Sequence, residues 1–295
     1  MITPGFGAMW AVTRYDDSKV MLTDPRFELT SGTFMRPDVP AHCLRYMRTM
    51  QEMDGPEHLR LRRLVSPSFT ARRAAEFRPR ITRIVDTLLD ELAEQTGGGP
   101  VDLLAGFARS LPIDVICELV GVPAEDRAAW RTYGVAVATG HGPAFTEAIP
   151  AIMRDAAATV ARRTREPGTD LLSELIEVHA EDNDRLSEVE LVTLVWHLVL
   201  AGQTPANLIA NAVEALLRHP DQLDIHRPAE QPAQLGYAHG PHFCLGAALA
   251  RVQTEVALSA LLHRFPTLAL ADGGAQRVPD PGTWRLTALM VTLSP

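Results

Sequence analysis

The sequence is almost without lysine: of its 28 basic residues, only Lys19 is not an arginine. That bias, together with the abundance of alanine, fits a gene written in GC-rich codons, and the arginine count alone implies no phosphate recognition. Positive charge is also in deficit. A net charge of −8 and a pI near 5.7 argue against nucleic-acid binding by bulk electrostatics. Cysteine is scarce, with Cys43, Cys117 and Cys244 too few and too scattered for a disulfide framework, so a reducing compartment is expected. Long hydrophobic runs are missing as well. The longest near-continuous one, from Leu191 to Gly202, is interrupted by Thr193 and His197 and is too short to span a bilayer. No basic residue precedes Arg14, which argues against a secretory leader. With 295 residues, 46% apolar and 22% charged, the chain reads as a cytoplasmic globular protein with no membrane or nucleic-acid partner.

Helical periodicity dominates what is present, with β-like pieces at the two ends. Met9–Val12 reads as a strand and Asp16–Leu22 as a short helix. A helix begins after Asp54-Gly55-Pro56, and another runs from about Ala71 to Ala93, stopped by Gly97-Gly98-Gly99-Pro100. Apolar residues from Leu103 to Val120 keep helical spacing up to Gly121-Val122-Pro123. Ser187 and Glu190 form a capping box for a helix that stays apolar almost all round to Leu217. That helix should cross the centre of the fold, kinked where Pro205 removes a backbone hydrogen bond. A final helix is expected over Ala247–Arg264, and the segments Thr283–Leu286 and Leu289–Leu293 alternate like a β-hairpin.

The segment Leu235-Gly236-Tyr237-Ala238-His239-Gly240-Pro241-His242-Phe243-Cys244-Leu245-Gly246 carries the chemistry. Cys244 stands at the mouth of a helix, where free amides and the helix dipole favour a thiolate. The glycines allow tight turns and close backbone approach to a flat ligand, and His242 can donate to an anionic group beside it.

This loop resembles the signature of the bacterial cytochrome P-450 heme-thiolate monooxygenases, L-G-F-G-H-G-x-H-x-C-L-G-A-x-L-A-R, with Tyr237 in place of phenylalanine and Ala238 in place of a glycine. Asp54-Gly55-Pro56-Glu57-His58 through Arg62 is similar to the family's D-P-P-E-H-x-x-x-R helix, and Val115–Pro123 to its V-I-C-x-L-L-G-V-P run. The resemblance implies a mainly α fold with small β-sheets, a single domain over 1–295, and heme b with Cys244 as axial ligand. It places His58, Arg62 and His242 on the heme propionates, with Tyr237 and Gly246 against the cofactor. Ala201 and Gly202 match the oxygen-binding groove, and Thr204 is the one hydroxyl there for proton delivery. The implied reaction inserts one oxygen atom from dioxygen into a small apolar organic substrate, with electrons from a ferredoxin-type partner. Arginines 60, 62, 63, 72 and 73 form the expected docking face.

Two departures stand out. The groove continues Gln203-Thr204-Pro205, without the family's acid, and no E-x-x-R follows the long helix; the one instance, Glu57–Arg60, lies in the propionate-binding helix. Cys244 follows Gly202 by only 42 positions. Phrases that are normally far apart merge within Pro220–Pro228, which points to an internal deletion near 223–224 and leaves open a truncated, non-catalytic heme-binding remnant. Substrate contacts are expected around Thr30–His42 and Thr139–Phe145.

Overall fold

A computed structural model describes residues 2–3, 7–8, 10–29, 39–95, 97, 99–138, 143–178, 186–222, 234–277 and 285–293. In chain order the described elements begin with β1 (Ile2–Thr3), β2 (Gly7–Ala8), α1 (Tyr15–Met21), α2 (Gly55–Val65), α3 (Ala71–Glu94) and β3 (Val101–Asp102). They continue with α4 (Ser110–Val120), α5 (Arg127–Ala138), α6 (Pro143–Arg165), α7 (Leu171–Val178), α8 (Glu188–Ala201) and α9 (Pro205–Arg218). Last come α10 (Ala247–Arg264), β4 (Ala269–Arg277) and β5 (Leu286–Thr292). The architecture is mainly helical, with one two-stranded antiparallel sheet, β1–β2, and one three-stranded antiparallel sheet in the order β3-β5-β4.

Local chemistry sets the helix ends. Thr70 caps α3 by accepting from the Arg73 amide at 3.3 Å, and the helix turns Ala74, Phe77, Ile81, Val85, Leu88 and Leu92 inward at i, i+3 and i+4 spacing. α4 stops at Gly121, whose φ of +96° takes the left-handed conformation while its amide bonds the Cys117 carbonyl. A Cβ there would stand 2.3–2.5 Å from the Asp170 carboxylate, so the position demands glycine on both counts. The capping box before α8 is formed: the Ser187 hydroxyl accepts from the Glu190 amide at 3.2 Å, and the Glu190 carboxylate accepts from the Ser187 amide at 2.7 Å.

Three expectations need correction. The long central helix is two helices, because Pro205 offers no N–H to the Ala201 carbonyl. That carbonyl is satisfied instead by the Thr204 amide at 3.3 Å and the Thr204 hydroxyl at 3.1 Å, and tight i→i−3 turns carry the chain from α8 to α9. Trp10–Val12, within the expected first strand, has no regular structure, and Met9 lies outside the described residues; the paired residues there are Ile2–Thr3 with Gly7–Ala8. The C-terminal hairpin pairs β5, one continuous strand, with β4. The strand β4 was hidden by Gly273-Gly274, which reads as a turn but forms an irregularity in the ladder, with Gly273 at φ +84°.

The core runs through the helices. Ile81, Leu104, Phe107, Leu111, Trp130 and Ile209 are fully buried in it. Helix α10 packs against α3 and α9, α4 packs against α8, and α9 packs against the β4–β5 hairpin. Helix α2 meets both the loop before α10, through Arg62 and the Phe243 carbonyl, and the start of α8, through Arg60 and Glu190. Among the described residues no helix is long and apolar enough to cross a membrane. The expected junction at 223–224 lies outside the described residues, as do 30–38 and 139–142 of the expected substrate-contacting segments.

Candidate functional site

Helix α2 and the loop before α10 meet side chain to side chain. Asp54 occupies the N-cap position of α2 without capping it. Its carboxylate instead accepts from the Leu29 amide at 2.7 Å and faces His242 Nε2 at 2.9 Å. Burial pulls the Asp54 carboxyl upward, but the Leu29 amide and the two nearby imidazoles outweigh it and hold the group below its ordinary pKa.

His58 follows within the first turn of α2 and is only 2% exposed. Its ring stacks on that of His242, with centroids 4.1 Å apart and planes at 23°. Burial first, then the charges of His242 and Arg62, lower the His58 pKa against the opposing pull of Asp54, so His58 is neutral at pH 7. Arg62 lies four residues further along the same helix face, and its Nη2 donates to the Phe243 carbonyl at 2.8 Å. Burial lowers the Arg62 pKa and the Cys244 side chain opposes it, but a guanidinium stays charged throughout.

The loop folds around its own hydrogen bonds. The Cys244 amide donates to the Tyr237 carbonyl at 2.8 Å, and Gly240–His242 make a single 3₁₀ turn closed by the Phe243 amide on the Gly240 carbonyl at 3.0 Å. Gly240 has φ +72°, and a Cβ on it would stand 2.8 Å from both the Leu22 carbonyl oxygen and Thr23 Cγ2. Ala238, the residue in a glycine's place, adopts φ +59°. The Arg251 guanidinium lies over the Tyr237 ring, 5.0 Å from its centroid. Cys244 is a free thiol, half-buried, whereas Cys43 and Cys117 are fully buried, and burial drives the Cys117 thiol far above the ordinary range. Nothing lies within 4 Å of where a Gly246 Cβ would stand, so the backbone beside Cys244 is open.

At the α8–α9 break, Ala201 and Thr204 are exposed and Gly202 is packed tightly, its Cβ position 3.0 Å from Ile116. Gln203 turns towards α5, its amide oxygen 2.9 Å from where a Gly134 Cβ would stand. Of the expected docking arginines, Arg60 pairs with Glu190, Arg72 with Glu76 at 3.5 Å and Arg73 with Glu174 at 3.2 Å, so part of that face is already neutralised.

The structure thus brings His58, Arg62, Tyr237, His242 and Cys244 into one neighbourhood. Asp54 and the Phe243 carbonyl were not read as part of it. The signal for Asp54 was its place at the head of the Asp-Gly-Pro-Glu-His motif. One soft thiol ligand with two imidazoles and a guanidinium nearby suits a group that carries its metal in a macrocycle and bears carboxylates. The residues present therefore fit a heme.

The comparisons with known proteins decide the family. The chain is 33% identical to the cytochrome P-450 monooxygenase PikC of Streptomyces venezuelae, covering 98% of this chain and 86% of that one. It is 35% identical to the vitamin D(3) 25-hydroxylase of Pseudonocardia autotrophica, covering 98% and 89%. The chain belongs to the cytochrome P-450 family. Among solved structures, the mycinamicin VIII methyl hydroxylase MycCI of Micromonospora griseorubida superposes with a TM-score of 0.83 at 26% identity, over 96% of this chain and 90% of that one. The P-450 MycG bound to mycinamicin IV gives 0.80 at 30% identity, over 95% and 89%. Scanned against models of protein families, the sequence matches none. As a cytochrome P-450 the chain is a heme-dependent monooxygenase, and the family's heme is held by a cysteine thiolate. It is shorter than its relatives: the alignment with PikC extends over 360 positions against 295 residues here, so at least 65 positions have no counterpart, consistent with an internal deletion.

Proposed function

We propose that this cytochrome P-450 holds heme b through Cys244 and inserts one oxygen atom from dioxygen into a small apolar organic substrate, with electrons from a ferredoxin-type partner in the cytoplasm. The observation that carries the reading is the convergence of Arg62, His58 and His242 on the loop of a half-buried, free Cys244. When bound, the heme would supply dioxygen activation, and Cys244 as a thiolate ligand would supply the electron density that favours O–O cleavage.

The chain's own residues divide the remaining work. The Tyr237–Cys244 backbone bond fixes the direction of the thiolate, and Arg62, clamped to Phe243, brings a fixed positive charge to it. His58 would present a ring N–H to the carboxylates of the cofactor, and Asp54, accepting from His242 Nε2, would hold the His242 ring beside them. Tyr237, stacked under Arg251, and Gly246, with open space beside it, would lie against the cofactor. Ala201 and Gly202, at the α8–α9 break, would form the groove for dioxygen. The Thr204 hydroxyl donates to the Ala201 carbonyl, so its lone pairs remain to accept a proton. The whole chain forms one domain, with the deletion at 223–224.

A second reading has its own observation: the missing positions and the absent E-x-x-R favour a remnant that binds heme without turning over. The experiment that separates them loads the purified chain with hemin, adds a surrogate ferredoxin and reductase, and offers a panel of apolar substrates under isotopically labelled dioxygen. One labelled oxygen atom in the product, absent with Cys244→Ala, supports the monooxygenase. Thiolate-ligated heme without labelled product from any substrate supports the remnant.

A further inference from the structure

Away from the heme region, a cavity of about 450 Å³ opens between α3, α4 and α5. Its size falls within the range of about 300–1,000 Å³ typical of small-molecule sites. Four arginines line it, Arg80 and Arg83 from α3 and Arg127 and Arg131 from α5, against two carboxylates, Asp114 and Glu118, one turn apart on α4. The charges do not cancel. Arg131 forks Asp114, with Nε 2.8 Å from Oδ1 and a second bond from Nη2, and Arg127 pairs with Glu118. Arg80 Nη1 reaches Glu118 only at 3.8 Å, and Arg83 makes no ion pair among the described residues. Glu91 and Glu125 act on Arg131 and Arg127 from outside the lining. The excess positive charge therefore sits on the α3 side, at Arg80 and Arg83.

We propose that this cavity is a binding site for a phosphorylated small molecule. Guanidinium groups arriving from two helices present more N–H donors than one carboxylate can accept, and their planar forks match the several oxygens of a phosphate or diphosphate. Ile84 and Leu88 give the cavity an apolar wall for the organic part of the ligand. Asp114 and Glu118 hold the α5 guanidiniums in place, so little ordering remains to be done on binding.

The test is a calorimetric titration of the full chain with pyrophosphate at constant ionic strength, with citrate as a polycarboxylate control. Saturable binding is expected, roughly tenfold tighter for pyrophosphate than for citrate, as one lost charge-assisted hydrogen bond would give. Arg83→Ala should weaken it about tenfold and Arg83→Lys less so. Arg83 has no ion pair among the described residues to lose, so these variants leave the fold intact. No saturable binding, equal affinity for the two anions, or unchanged affinity in Arg83→Ala overturns the proposal. None of these outcomes depends on heme being bound.

Discussion

Gly240→Ala puts the architecture of the cysteine loop to a quantitative test. At φ +72° the new Cβ meets the left-handed penalty of about 1–2 kcal/mol for an L-residue. It also lands 2.8 Å from the Leu22 carbonyl oxygen and Thr23 Cγ2, and the first of these is backbone that cannot swing aside. Overpacking of that kind costs about 1–3 kcal/mol. Alanine stiffens the unfolded chain and returns about 0.4–1 kcal/mol. The net loss is therefore about 1–4.5 kcal/mol, a fall of roughly 2–7 °C in melting temperature for a chain of this size. The companion change runs the other way: Ala238→Gly relieves the same penalty at φ +59°, less the added unfolded-state entropy, and should gain about 0.5–1 kcal/mol. Urea unfolding of the heme-free variants followed by far-ultraviolet circular dichroism measures both, and Cys244 alkylation rates report whether the loop has opened. Equal stability of Gly240→Ala and the parent would refute the seating of the loop on the turn after α1.

Other consequences are smaller and equally checkable. Both His58 and His197 have folded pKa values below the ordinary 6.5, through burial first, with His197 pushed down to about 4. Protonation then favours the unfolded chain, so stability is complete above about pH 6.5 and declines as the pH falls below it. The urea midpoint of the heme-free chain should drop between pH 7.5 and 5, and a flat profile contradicts the burial of His58. Gln253 on α10 is 3% exposed, and its Oε1 is without a hydrogen-bond partner among the described residues. Gln253→Met should therefore raise stability by about 1 kcal/mol, read as a higher urea midpoint, whereas a loss would show that the amide is satisfied in solution.

Legibility differed between the local and the long-range. The start of α8 was readable because Ser187 and Glu190 act within one turn of each other. The stacking of His58 on His242 was not legible, since nothing local links residues 184 positions apart in the chain. The role of Asp54 stayed hidden for a related reason. An aspartate before Gly-Pro reads as a helix cap, and only the fold shows its carboxylate turned to Leu29 and His242. At the α8–α9 break, Pro205 announced a disturbance, but kink and full break differ by where the Thr204 hydroxyl goes. The strand β4 was lost to Gly273-Gly274, because a glycine pair signals a turn whether or not a neighbouring strand absorbs it as a bulge. The cavity of four arginines was invisible in a chain where nearly every basic residue is arginine.

The most direct test of the account is the absorption spectrum of the purified, heme-loaded chain after reduction with dithionite and exposure to carbon monoxide. The strongly red-shifted Soret band of thiolate-ligated heme, lost in Cys244→Ser, is the predicted result. A chain that takes up no heme, or whose band is that of heme without a thiolate and is unmoved by Cys244→Ser, would contradict the assignment of Cys244 as the axial ligand.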